Sequence, residues 1–249
     1  ADDIAEAVGT GTTLIDLGAG SCRKAAGLLP VLKPAQYVPV DISVSYLRDA
    51  TAKLQQDFPD VDIVAVGTDF STKLELPDAV RAEKRLFFYP GSSIGNFAPE
   101  DALAFLERIH DACDPNGGLL IGVDLVKEKA VLDAAYDDAL GVTAAFNLNL
   151  LRNLNRLLGA DFEVREWRHR GFFNPNMGRI EMHLEAMSNQ TVHWNDGARQ
   201  FERGDRIHTE NSYKYTRQMF TAMLASAGFR RTNVWTDSQG WFLLCHACA

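Results

Sequence analysis

No stretch of this 249-residue chain approaches the run of about 18 apolar residues that a membrane-spanning helix needs, so no membrane partner is expected. Cysteine is scarce. The four present, Cys22, Cys113, Cys245 and Cys248, are too scattered for the disulfide framework of a secreted domain. Cys245-x-x-Cys248 has redox spacing, but such a motif usually opens a helix, and 242–248 reads as a terminal strand, so both read as buried thiols. Basic side chains are outnumbered, 25 against 33 acidic ones, for a net charge of -8. That balance argues against nucleic acid and for a small-molecule substrate. The first residues, Ala1-Asp-Asp-Ile4, have neither the basic nor the apolar region of a signal peptide, so a cytoplasmic location is expected; the chain is also expected to be a monomer. The six histidines show no metal-ligand spacing, and no metal is expected.

What is present is an alternation. Residues 12–17 form a β-rich run ending in Gly18-Ala-Gly-Ser21, followed by a helical stretch through 32. A second strand over 36–41 leads to a helix over 43–58, with Ser43 as its N-cap. Strands over 61–66, 85–89 and 118–123 follow, with a helix over 99–113 before the last. Five strands alternating with helices imply a mostly parallel, doubly wound α/β sheet with ligands at the carboxyl ends of its strands. Beyond Lys127 the rhythm changes to helices near 128–138 and 143–158 and several short strands between 162 and 207. The pattern resumes with a helix over 215–227 and two strands, near 231–235 and 241–248, joined by Asp237-Ser-Gln-Gly240, a hairpin signal. A parallel sheet closed by such a hairpin is the Rossmann-like arrangement of class I methyltransferases. The expected organisation is a core over 1–126, an inserted α+β substrate-binding subdomain over 127–212, and the rest of the core over 213–249.

Between the first strand and its helix, Gly18 and Gly20 let the backbone turn tightly and approach a ligand without a Cβ clash. A dinucleotide fingerprint needs a third glycine at position 23, which is Arg23, so a nicotinamide oxidoreductase is disfavoured. Asp41, at the end of the second strand, can accept hydrogen bonds from both ribose hydroxyls. Asp69 and Phe70, after the third, suit an exocyclic adenine amine and an adenine face. An acid at a strand end is more often a helix cap or a solvated loop residue. Three such features at successive strand ends point instead to an S-adenosyl-L-methionine (SAM) site.

Leu17-Gly-Ala-Gly-Ser-Cys-Arg-Lys24, Tyr89-Pro-Gly-Ser-Ser-Ile-Gly-Asn96-Phe97, Asp124-Leu-Val-Lys127, Ala135-Tyr-Asp-Asp138, Phe146-Asn-Leu-Asn149 and Arg179-Ile-Glu-Met-His-Leu184 resemble the histidine-specific SAM-dependent methyltransferase family, the L-histidine Nα-methyltransferases of ergothioneine biosynthesis. The resemblance covers nearly the whole chain. It implies methyl transfer from SAM to the α-amino nitrogen of L-histidine, giving the trimethylated betaine hercynine. By motif, it assigns Gly18, Lys24, Asp41, Asp69 and Phe70 to the cofactor. Asn96 and Tyr136 are assigned to the amino acid's α-amino and carboxylate groups, Glu210 and Ser212 to its imidazole, and Met182 to the pocket wall. Without the resemblance Asn96 reads as a turn-stabilising residue and 210–212 as an exposed strand edge. A strand through 210 and 212 places both on one face, where a carboxylate can accept from an imidazole N–H while a hydroxyl satisfies the other nitrogen. Members of the family carry a further N-terminal segment that closes over the amino acid. About a dozen residues precede the first strand here, so weaker histidine capture is expected.

Methyl transfer is an in-line displacement, so the protein mainly aligns a nitrogen lone pair and excludes water. Asn96 and Tyr136 are therefore the expected catalytic positions as orienting groups and not as bases. Two rivals remain: an Nα-methyltransferase of another amino acid such as tryptophan, and an inactive SAM-binding regulatory module. An indole offers one donor and no acceptor, which the Glu210/Ser212 pair does not match.

Overall fold

β-branched and aromatic residues concentrate in the strands, and glycines or acids end each run of the parallel sheet. The computed structural model describes residues 2–249. In chain order the elements are α1 (Asp2–Val8), β1 (Thr13–Leu17), α2 (Arg23–Ala26), α3 (Leu29–Leu32), β2 (Gln36–Asp41), α4 (Val44–Asp57), β3 (Val66–Gly67) and β4 (Arg85–Tyr89). A 3-10 turn (Ser93–Asn96), α5 (Pro99–Ala112), β5 (Gly118–Asp124), α6 (Lys129–Tyr136) and α7 (Val142–Leu158) follow. Then come β6 (Trp167–Asn174), β7 (Arg179–Ala186), β8 (Gln190–Trp194), β9 (Gly197–Phe201), β10 (Arg206–Tyr213), α8 (Arg217–Ser226), β11 (Arg231–Thr236) and β12 (Phe242–Cys248). They divide between two units, one running to Leu125 and resuming over Tyr215–Ala249, the other spanning Val126–Lys214. Among the described residues no helix is long and apolar enough to cross a membrane.

The first unit is built on a seven-stranded sheet in the order β11-β12-β5-β4-β1-β2-β3. β1 to β5 are parallel, and β12 runs antiparallel to both β5 and β11. β1 is buried at all five positions, as expected of a central parallel strand covered on both faces. One face packs Leu14, Tyr37, Leu86, Phe88 and Leu120 against Leu29, Leu32, Leu47 and Leu54. Cys245 and Cys248 lie three positions apart on β12, an odd spacing that sends their side chains to opposite faces, and both thiols are free.

Three expectations are corrected. The helix expected through 32 is two short ones, because Pro30 lacks the amide needed to continue α2 and instead starts α3. The strand expected over 61–66 is regular only at Val66–Gly67. As the sheet edge it is held from one side, by a bridge between Tyr37 and Ile63 and by bonds through Asp62 and Val64. Ser43 precedes α4 but makes no side-chain cap; its N–H donates to Asp41 instead. Helix α1 was not expected.

In the second unit β10, β7 and β6 form an antiparallel sheet, and β8 with β9 a hairpin. β6 alternates, burying Trp167, His169, Gly171 and Phe173. One core gathers Leu151 of α7 with Trp167, Leu184, Val192 and Phe201; the other gathers Leu132 of α6 with Phe173, Ile180 and Met182. Glu181, His183 and Glu185 take the opposite face of β7, where Arg168, Arg170 and Arg206 converge on Glu185.

Candidate functional site

In the first unit β1 runs into the glycine turn. Gly18 and Gly20 have φ of 68° and 51°, in the left-handed region where a Cβ is strained. The N–H groups of Gly18 and Ala19 donate to the Val40 carbonyl at 2.9 and 3.1 Å. Gly20 N–H donates to Asp41 Oδ2 at 3.0 Å and Ser43 N–H to Asp41 Oδ1 at 2.9 Å. Asp41 is thus fixed at the end of β2, and each carboxylate oxygen keeps a lone-pair site for a further donor. A cavity of about 230 Å³ lies along the turn, lined also by Asp16, Lys24, Tyr89 and Ser93.

Asp16 was not among the residues assigned from sequence. It is buried in β1 and accepts a hydrogen bond from Tyr37 Oη at 2.8 Å. Burial pushes its carboxyl up to about 7, against that hydrogen bond and the nearby Lys24 ammonium. The available signal was an acid flanked by Ile15 and Leu17 in a β-rich run.

Phe70 packs edge-on against Tyr89 at 5.9 Å and tilted against Phe105 at 6.1 Å, and its ring reaches to 3.6 Å from where a Cβ on Gly18 would sit. Asp69 is exposed and turned toward its own loop, accepting from Ser71 N–H at 3.0 Å and Ser71 Oγ at 2.5 Å, contacts that hold its carboxyl below the usual range. The structure therefore brings Gly18, Gly20, Lys24, Asp41 and Phe70 around the turn and leaves Asp69 at its rim-side loop. Asn96 ends the 3-10 turn after β4 and is exposed. That turn is braced by Ser92 Oγ, which accepts from Asp124 N–H at 2.8 Å.

In the second unit Tyr136 closes α6. A Cβ on Gly171 would lie 2.5 Å from the Tyr136 carbonyl oxygen, so only glycine lets β6 pass here. His169 Nε2 donates to that same oxygen at 2.7 Å while its Nδ1 accepts from Asn147 at 2.9 Å. On β10, His208 pairs with His183 and Glu210 with Met182, leaving Thr209 as a bulge whose hydroxyl donates to the Met182 carbonyl at 3.0 Å. The extra residue turns Glu210 and Ser212 onto the face of Met182 and Ile180, where Tyr136 packs. Without it Glu210 would share the outer face with His208. Tyr136 Oη donates to Ser212 Oγ at 2.9 Å. Burial raises the Glu210 carboxyl above its ordinary value, opposed by the Lys214 charge. Lys214, buried beside Ser212, was also missed by sequence reading; a lysine after a polar strand carries no local sign of burial.

On the outer face, Glu181, His183 and His208 hold ligand atoms within 4.8 Å of one another, a grouping that linear spacing did not show. Glu181 is already paired with Arg179 at 2.9 Å and with His183 at 3.2 Å. The four arginines of this face, Arg168, Arg170, Arg179 and Arg206, disfavour a divalent cation there.

A Rossmann-like sheet of this strand order, with a glycine turn locked to an acid at the end of β2, defines a class I SAM-dependent methyltransferase. A methyltransferase from Clostridium acetobutylicum shares the fold, with a TM-score of 0.54 at 13% identity over 99% of this chain and 87% of that one. The sequence pattern of the histidine-specific, SAM-dependent methyltransferases matches residues 1–249, and the chain belongs to that family. It is 39% identical to a histidine N-alpha-methyltransferase of Mycolicibacterium smegmatis, over 92% of this chain and 73% of that protein. It is 31% identical to ergothioneine biosynthesis protein 1 of Neurospora crassa, over 95% of this chain and 27% of that larger protein.

Proposed function

We propose that the chain transfers methyl groups from SAM to the α-amino nitrogen of L-histidine, giving Nα,Nα,Nα-trimethylhistidine (hercynine) in ergothioneine biosynthesis. The observation that carries the substrate assignment is the carboxylate–hydroxyl pair of Glu210 and Ser212, on one face of β10 beside Met182 and Tyr136. Such a pair complements a ring with one N–H and one lone pair. The net charge of -8 agrees with a small-molecule substrate, and we take the enzyme to be a cytoplasmic monomer.

The first unit fits the cofactor. No Cβ fills the Gly18 and Gly20 turn, and Asp41 keeps acceptor sites for the two ribose hydroxyls. Lys24 offers a positive charge and Asp16 a carboxyl group along one cavity to a zwitterionic amino-acid end. Phe70 suits the adenine face and Asp69 its amine. When bound, SAM supplies an electrophilic methyl group on a sulfonium sulfur. The chain's own residues then have to orient the amine. Asn96 is suited to accept an N–H through its amide oxygen and to donate to a carboxylate through its amide nitrogen, and the Tyr136 phenol oxygen keeps a lone pair for a further donor. An α-amino group titrates near pH 8, so acceptors at its N–H groups favour the neutral nucleophile. After two methylations the neutral amine carries no N–H, and anchoring passes to the carboxylate and the imidazole. Mass spectrometry of L-histidine incubated with the chain and SAM tests the reading. Successive methyl additions on the α-nitrogen are expected; an unmodified amino acid in the presence of bound SAM would overturn it.

A further inference from the structure

The imidazole pocket contains a buried cation that histidine binding does not obviously require. Lys214, directly after β10, is 3% exposed. Its Nζ donates to Ser212 Oγ at 2.8 Å and to Tyr136 Oη at 2.9 Å, and lies 4.7 Å from the centre of the Tyr136 ring. Tyr136 Oη in turn donates to Ser212 Oγ. A serine oxygen has two acceptor sites, and the ammonium and the phenol occupy both. The Ser212 proton must therefore leave this triad and point toward a third group.

We infer that Lys214 sets the donor–acceptor polarity of the pocket, making Ser212 an obligate donor beside the Glu210 acceptor, so that the site takes only a neutral azole ring. The inference rests on the assignment of Glu210 and Ser212 to the imidazole. A neutral imidazole brings one N–H for Glu210 and one lone pair for Ser212. An imidazolium brings two N–H groups, and the second meets the Ser212 proton head-on with the Lys214 charge behind it. Lys214 also opposes the burial that raises the Glu210 carboxyl.

The other titratable groups packed against this face are committed elsewhere. His169 of β6 is held between Asn147 and the Tyr136 carbonyl, and Asp133 of α6 accepts from Phe173 N–H and pairs with Lys129. Met182 and Ile180 of β7 do not titrate, and Glu181 and His183 lie on the opposite face.

The test compares L-histidine with 3-(1,2,4-triazol-3-yl)-L-alanine, whose ring keeps one N–H and an acceptor nitrogen but stays unprotonated between pH 5 and 8. The quantity measured is the ratio of their kcat/KM values against pH, from which titration of the enzyme and of the common α-amino group cancels. In the unaltered chain the ratio should fall about tenfold per pH unit below the imidazole pKa, near 6.5. In Lys214→Met, where Ser212 can rotate to accept, it should stay within about threefold. Lys214→Arg, which still supplies donors to both oxygens, should keep the fall and serves as the control for folding. A fall of the same steepness in Lys214→Met, or a flat ratio in the unaltered chain, would overturn this inference alone. Turnover of neither amino acid would overturn the histidine reading and this inference with it.

Discussion

Asp41 serves two purposes with one carboxylate. It ties the Gly20 turn to the end of β2 through backbone N–H groups, and it keeps lone pairs for a ligand. Asp41→Ala is expected to weaken SAM binding by about 1.5–3 kcal/mol, the range for hydrogen bonds to a charged group. Unchanged affinity by calorimetry would remove Asp41 from the cofactor site. Glu210 makes the sharper case, because its carboxylate lies on the face of Met182 and Ser212, where it can accept from a ring N–H. Glu210→Ala leaves an imidazole donor unpaired and should lower kcat/KM for histidine by about 5- to 150-fold, with SAM affinity unchanged. It also lifts the desolvation cost of an indole, so the ratio of tryptophan to histidine turnover should rise, and further when Met182→Val opens the wall. Equal losses for both amino acids would show that Glu210 does not read the imidazole.

Elements decide where these side chains point. β10 is polar along much of its length, and its alternation alone would put His208, Glu210 and Ser212 on one face. The bulge at Thr209 separates them, sending His208 outward and the other two inward. Helix α6 is seated by a comparable device, since its last carbonyl crosses β6 at the one residue without a side chain. Gly171→Ala would place a Cβ 2.5 Å from that oxygen, so α6 or β6 must shift. Displacing Tyr136 by even part of an ångström is expected to lower kcat/KM for histidine by about tenfold or more. Cofactor binding, which belongs to the other unit, should be untouched. A variant that turns over histidine normally would show that the close approach does not position Tyr136.

Asp16 reports on the stability of the whole molecule, because its carboxyl titrates near 7 in the folded chain and not at the ordinary 3.8. Below pH 4 both folded and unfolded chains hold this proton, and Asp16 adds no pH dependence. Between about 4 and 7 only the unfolded chain gives it up, so rising pH favours unfolding, and above 7 the effect levels off. The full excursion is on the order of 4 kcal/mol at most, since stability changes by about 1.4 kcal/mol for every pH unit crossed in that window. Asp16→Asn can still accept from Tyr37 but does not titrate. The stability of the variant relative to the unaltered chain should therefore climb between pH 4 and 7, measured by urea unfolding at a series of pH values. A difference that stays constant with pH would mean that Asp16 ionises normally.

Much of this protein follows from local pattern. The β/α alternation, the ends of β2 and β4, the glycine turn and the terminal hairpin were legible because apolar period, glycine and acidic punctuation act within a few residues. Family membership followed from strings such as Gly-Ser-Ser-Ile-Gly-Asn, which are local too. The edge strand was overextended, because nothing in residues 61–66 says that only one side has a partner. Tertiary structure alone decided the Thr209 bulge, the burial of Lys214 and the raised Asp16 carboxyl. Tyr136 meets Ser212 and Lys214 across 76 and 78 positions of sequence. Register, desolvation and the direction of a hydroxyl proton depend on partners brought together by folding, and no window along the chain contains them.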